Sequence, residues 1–359
     1  LDAVRYPPAA AQPEPGSAAA ALRARDLVRY ALVVDDKLGD GQRAIKAWER
    51  LRQVTPRDRA ALEALARLYR GAARYRELAD LLAVHAEVYA VDDLPKATAA
   101  ARERAAVLAD RLGAPDDAIR QLERLVELAP TELEAYAMLR RLHESRGDFQ
   151  AAVRVGEREA YMIADPAARL ARTLELGAMC RDRLGDPARA LQAYQRVLAA
   201  EPDHDEALAA AAELYERIGD HPAAIGTLQR RLAASADGRL RRALYGRLAA
   251  IAGDRQGDHR AAFAFLRQAH DERPDAASLT DLRRAAESHG LWRELADVLT
   301  AERARAAGPG PGVRDVAGYL ACSRELAAIA EHRLTDRGRA LAALTDALTV
   351  APRELGLLA

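Results

Sequence analysis

Histidine, cysteine and paired carboxylates are where catalytic or metal chemistry would first show, and here their spacing supports neither. His85, His143, His204, His221, His259, His270, His289 and His332 stand singly, with no His-Glu-x-x-His pair and no CxxC beside them. The spacing that a metal site needs is therefore missing. Several fall near short turns, where solvent-facing side chains are expected, and His204-Asp205 is expected to cap a helix. Cys180 and Cys322 lie in Ala-rich helical contexts and read as small core thiols, not as a disulfide framework. No Gly-x-Ser-x-Gly elbow or phosphate-cradling loop occurs. Asp35-Asp36, Asp92-Asp93 and Asp116-Asp117 are adjacent carboxylates, which point apart on a helix and cap at a turn. The residues thus assign no catalytic group, no metal ligand and no cofactor.

The elements around these residues follow from composition. Among 359 residues there are 85 alanines, Asn is absent, and only three of the 54 basic residues are Lys. Ala, Leu, Arg and Glu favour helix, and the strand formers are sparse, so an all-α chain is expected. Aromatics make up 4%, so the core must be aliphatic. The 54 basic residues balance 54 acidic ones, which removes any global pull toward nucleic acid or an anionic membrane. No run approaches the length of a membrane span. Arg in place of Lys points to a GC-rich, bacterial coding sequence. Without a disulfide framework or a basic-then-apolar start, the cytoplasm is favoured. No Met precedes Leu1, and 353–359 reads as the opening of a further helix, so a longer protein is expected.

A repeat organises the chain. Gly39, Gly113, Gly185, Gly257 and Thr335 are 74, 72, 72 and 78 residues apart. Each is followed by a small residue, apolar positions at helical spacing and a proline, as in Ala118-Ile119, Leu122, Leu125 and Pro130. A second, weaker copy lies inside each period, marked by Gly147-Asp148, Gly219-Asp220 and Gly290-Leu291. The unit is therefore about 36 residues long, with odd and even versions alternating. Apolar spacings of three and four make each half an amphipathic helix. The middle Gly stops helix A in a left-handed conformation, the next Asp caps helix B, and the Pro ends it. Such a pair cannot bury its apolar face alone and must stack on its neighbours.

This pattern resembles the tetratricopeptide repeat (TPR). Gly185, Ala190, Tyr194 and Pro202 fall at family spacing, whereas the Trp and Gly usual in helix A are mostly Leu, Ala and Arg. The resemblance implies a right-handed α-solenoid of about nine units, near 23–56, 57–93, 94–130, 131–165, 166–202, 203–237, 238–274, 275–313 and 314–352. A Pro/Ala-rich segment at 1–22 precedes them. Even units lack the closing Pro and run into loops near 91–95, 164–166, 235–238 and 306–313; the last holds the inserted Gly308-Pro309-Gly310-Pro311-Gly312.

In that family helix A lines the concave face, and particular helix-A positions touch the ligand. Six residues before the turn Gly, odd units carry Val33, Val107, Met179, Ile251 and Ile329, and even units carry Arg67, Arg141, Glu213 and Arg284. Such an alternation suits an extended peptide with acidic and apolar side chains, because Arg presents a planar fork to a carboxylate. Odd units also repeat an acid-base pair: Asp36-Lys37, Asp110-Arg111, Asp182-Arg183 and Asp254-Arg255. Those acids are the alternative partners of the Arg ladder. A clamp built on paired Asn is excluded, because the chain has no Asn. Trp48 and Trp292 are expected in helix packing.

The expected function is a non-catalytic scaffold that binds a protein or extended peptide through its concave face. Self-association through the N-terminal segment, around Tyr6-Pro7-Pro8, is a further expectation. An RNA-binding helical repeat shares the period but is disfavoured by zero net charge and zero Asn. A third reading makes the chain an accessory region beside a catalytic domain that lies outside it.

Overall fold

The computed structural model describes residues 18–38, 40–309 and 312–352. Expectations for the N-terminal tail, for Gly39, for Gly310-Pro311 and for 353–359 fall outside those residues, as do the side chains of Asp36 and Lys37. The described residues form 18 helices and no strand. They are α1 (Ala18–Leu38), α2 (Gly41–Val54), α3 (Arg59–Gly71), α4 (Tyr75–Tyr89), α5 (Leu94–Asp110), α6 (Pro115–Leu128), α7 (Leu133–Ser145), α8 (Phe149–Met162) and α9 (Pro166–Met179). There follow α10 (Pro187–Ala200), α11 (Asp205–Ile218), α12 (His221–Ala234), α13 (Gly238–Ala250), α14 (His259–Glu272), α15 (Ala276–His289), α16 (Trp292–Ala307), α17 (Val316–His332) and α18 (Arg337–Val350).

The punctuation of these helices is local and regular. α2, α6, α10, α14 and α18 each stop two residues before Pro56, Pro130, Pro202, Pro274 and Pro352, because a proline keeps its predecessor out of helical conformation. Gly113, Gly147, Gly185, Gly219, Gly257 and Gly290 all take positive φ between the helices of a pair. Ala73 and Thr335 hold the same place with φ of 54° and no glycine's freedom. Aspartate caps most second helices: Asp40, Asp148, Asp186, Asp220, Asp258 and Asp336 each accept the backbone N–H three residues on. His204 does the same for α11, its Nδ1 accepting from the Ala207 N–H at 3.3 Å.

The chain divides into two compact units, 1–193 and 194–359. In the first, α1 to α9 pack serially on one another, around a core that includes Trp48, Leu62, Leu82, Leu122 and Tyr136. In the second, α11 to α18 pack in the same serial way; Leu228, Leu248, Phe263, Leu282 and Leu299 are buried there. Small residues open the second helix where neighbours cross closely, with Ala44, Ala118, Ala152, Ala190 and Ala224 wholly buried. The fold is all-α, each unit built as a run of helix–turn–helix pairs on the plan of an α-solenoid. Cys180 and Cys322 are buried, and burial pushes both thiols up from their ordinary pKa.

Candidate functional site

The turns within the pairs come in two kinds, and the difference positions the candidate residues. In even pairs the N–H after the left-handed residue reaches five residues back: Arg74 to the Tyr69 carbonyl, Asp148 to His143, Asp220 to Tyr215 and Leu291 to Ala286, at 2.9–3.1 Å. This is the closing bond of a Schellman turn. In odd pairs it reaches six back: Ala114 to Leu108, Asp186 to Cys180, Asp258 to Ala252 and Asp336 to Ala330, at 2.8–3.0 Å. Helix A of an odd pair therefore ends in a widened turn, which becomes a π-helical segment at Cys180–Leu184 and Ile251–Arg255. Widened turns of this kind occur often at functional sites.

The acid-base pairs ride on these wide turns. Arg111 lies over the Tyr75 ring at 5.3 Å, Arg183 over Phe149 at 5.5 Å and Arg333 over Trp292 at 4.7 Å. In each case the arginine of an odd pair is held on the aromatic residue that opens the preceding second helix. The cation–π contact fastens adjacent pairs. Asp182 bonds to the neighbouring Arg181 at 2.7 Å. Asp110, Asp254 and Arg255 are exposed and form no ion pair.

The even-pair positions are all exposed, and their surroundings differ. Arg67 donates to Asp35 at 2.5 Å, and Asp35 also accepts from Trp48 Nε1 at 3.2 Å. Arg284 pairs with Asp281 on its own helix at 3.2 Å. Arg141 and Glu213 hold no ion pair. Three of the apolar positions set between them are core: Val107, Ile251 and Ile329 are buried, and Val33 is exposed. Met179 is half-buried, so of the five apolar positions only Val33 is exposed, and an alternating apolar and charged ladder is not presented along the described residues.

Two cavities sit at the π-helical turns. One, of about 590 Å³ in the first unit, brings together Arg141, Asp182 and Arg183 with Glu144, Phe149 and Glu175. The other, of about 520 Å³ in the second unit, gathers Asp254 and Arg255 with Glu216, Arg217, His221 and Arg247. Arg67 lines a separate cavity with Glu63 and Lys96. Glu213, Arg284, Asp110 and Arg111 line none of these.

Sequence reasoning missed two features. Ion pairs join successive first helices about one unit apart: Arg70 with Glu103, Arg242 with Asp275, and Arg247 with Glu216, at 2.5–2.6 Å. Opposite charges 31–33 residues apart were the available signal. His270 was also misplaced: it is not a solvent-side turn histidine but a buried one, with Nδ1 2.7 Å from Ser278 Oγ and Nε2 2.8 Å from Glu302. Burial lowers its pKa. Glu302 does not reverse this, because Arg305 already engages its carboxylate.

Among the described residues no helix is long and apolar enough to cross a membrane. Residues 183–248 match the family model of the tetratricopeptide repeat. No curated protein matches the chain. Similar solved structures include MamA, at 23% identity over 45% of this chain and 91% of that one, with a TM-score of 0.30. A tetratricopeptide repeat protein from Parabacteroides merdae is 15% identical over 74% of this chain and 99% of that one, TM-score 0.33. YrrB, described as a TPR protein with an unusual peptide-binding site, is 17% identical over 52% and 91%, TM-score 0.32. The chain is thus a helical-repeat protein whose residues 183–248 match the tetratricopeptide repeat and whose other helical pairs share the same punctuation.

Proposed function

We propose that the chain is a non-catalytic scaffold that binds a partner protein or extended peptide through its first helices and their turns. The observation that carries this reading is a set of exposed, unpaired charges at repeat-equivalent places on the first helices and their turns. Ion pairs link helix to helix along both units, yet Arg141, Glu213, Asp110, Asp254 and Arg255 stand exposed and unpaired at repeat-equivalent places. Exposed charges at repeated places within each unit suit many weak, directional contacts with an extended ligand. Arg67, Arg284, Arg111, Asp182 and Arg183 complete the proposed contact set, although each already has an internal partner or an aromatic seat.

The test is capture of a partner from the source cell, then reconstitution of the complex with purified components. Arg141→Glu, Glu213→Arg and Arg284→Glu together reverse exposed charges without touching the core. Arg67 is left intact, since a glutamate there would face the nearly buried Asp35. The triple variant should keep its helical circular dichroism and bind the purified partner at least about tenfold more weakly, a loss of roughly 1.4 kcal/mol. Unchanged affinity would overturn the assignment of these faces.

A further inference from the structure

We propose that the cavity at the wide turn Ile251–Arg255 receives a carboxylate side chain of a bound peptide, with Arg217 and Arg255 as its guanidinium donors. The proposal rests on the scaffold reading above and names one of its contact points.

The chain builds this cavity twice, 72 residues apart. Glu144, Ala178, Asp182 and Arg183 in the first unit correspond to Glu216, Ala250, Asp254 and Arg255 in the second. Against that frame four shared lining positions change: Ser145 becomes Arg217, Phe149 becomes His221, Glu175 becomes Arg247 and Met179 becomes Ile251; Arg141, which lines the first cavity, corresponds to Glu213, which does not line the second. The first cavity has two arginines against three carboxylates and is acidic; the second has three against two and is basic.

The change at Phe149 matters most. Arg111, Arg183 and Arg333 are each seated on an aromatic ring. Arg255 occupies the same place in its repeat, but His221 stands where the ring should be, and Arg255 makes no cation–π or ion-pair contact. Arg217 is exposed and unpaired beside it. Arg247 is already engaged by Glu216 at 2.5 Å, so that pair is self-neutral. Two free guanidiniums and one free carboxylate, Asp254, remain. A peptide matches that set, because its acidic side chain takes the arginine forks while a backbone N–H donates to Asp254. Inorganic phosphate would bring a second negative charge against Asp254 and has no N–H to donate to it. The half-exposed Ile218 and buried Ile251 add an apolar border for a flanking side chain.

The full chain is panned against a random dodecapeptide library, and selected peptides are titrated by fluorescence polarisation. Peptides bearing Asp or Glu should be enriched. Arg217→Ala with Arg255→Ala should weaken them about tenfold or more. His221→Phe keeps every arginine and installs the ring found in the other repeats. It should seat Arg255 and weaken binding about threefold. Inorganic phosphate at millimolar concentration should not compete. Selected peptides that lack acids, that bind all variants equally or that phosphate displaces would each overturn the carboxylate site while leaving the scaffold reading intact. Failure to enrich any peptide would count against the scaffold reading itself, and the site would fall with it.

Discussion

Single residues in this chain answer mainly to their local backbone, and those were the ones legible in the sequence. The cap at Asp148 and the left-handed φ at Gly147 need only the neighbouring few residues, so spacing revealed them. Thr335 departs from the rule by holding φ of 54° with a β-branched side chain. Thr335→Gly is expected to stabilise the second unit by about 1 kcal/mol, the cost of left-handed backbone less glycine's added freedom when unfolded. Chemical denaturation checks it, and a destabilised variant would show the side chain contributes more than the strain costs. His270 was not legible, because its burial depends on Ser278 and Glu302, the latter 32 residues away. Its lowered pKa has a definite sign: the unfolded histidine, near 6.5, takes up a proton that the folded one resists. Stability should therefore fall as pH drops from about 7 through 6.5 and below, and less steeply in His270→Gln. Thermal melts across that range measure it, and parallel slopes would contradict the assignment. His85 is depressed by burial as well, so some dependence should persist in the variant.

Elements were legible where a proline stops them, but not in how their turns close. Period and proline placement predicted helices that stop before Pro130 and Pro202, and they do. The widening of the odd turns was invisible, because odd and even turns carry the same Gly-then-cap phrase. Beside the odd turns Val107, Ile251 and Ile329 are buried, and Arg111 and Arg183 lie on aromatic rings more than thirty residues away, contacts that local spacing does not record. Helix crossing is equally demanding at Gly156 in α8, where an added Cβ would run into the Leu176 side chain. Gly156→Ala should cost about 1–3 kcal/mol by overpacking. If urea titration of this variant gives wild-type stability, α8 and α9 have more room than the packing shows.

At the scale of the molecule, serial stacking explains both the composition and the proposed use. Within each unit helices bury their faces against their neighbours, so alanine is needed where neighbours cross closely, and ion pairs recur at intervals near one unit. Within the zero net charge, ion pairs join some first helices, while Arg141, Glu213, Asp110, Asp254 and Arg255 stay exposed and unpaired at repeat-equivalent places. Hydrogen exchange of the full chain, with and without its purified partner, tests the scaffold claim most directly. Protection is predicted on α7 and α11 around Arg141 and Glu213 and on the wide turns at Cys180–Leu184 and Ile251–Arg255. Protection confined to second helices, or to the loop that follows α16, would contradict it.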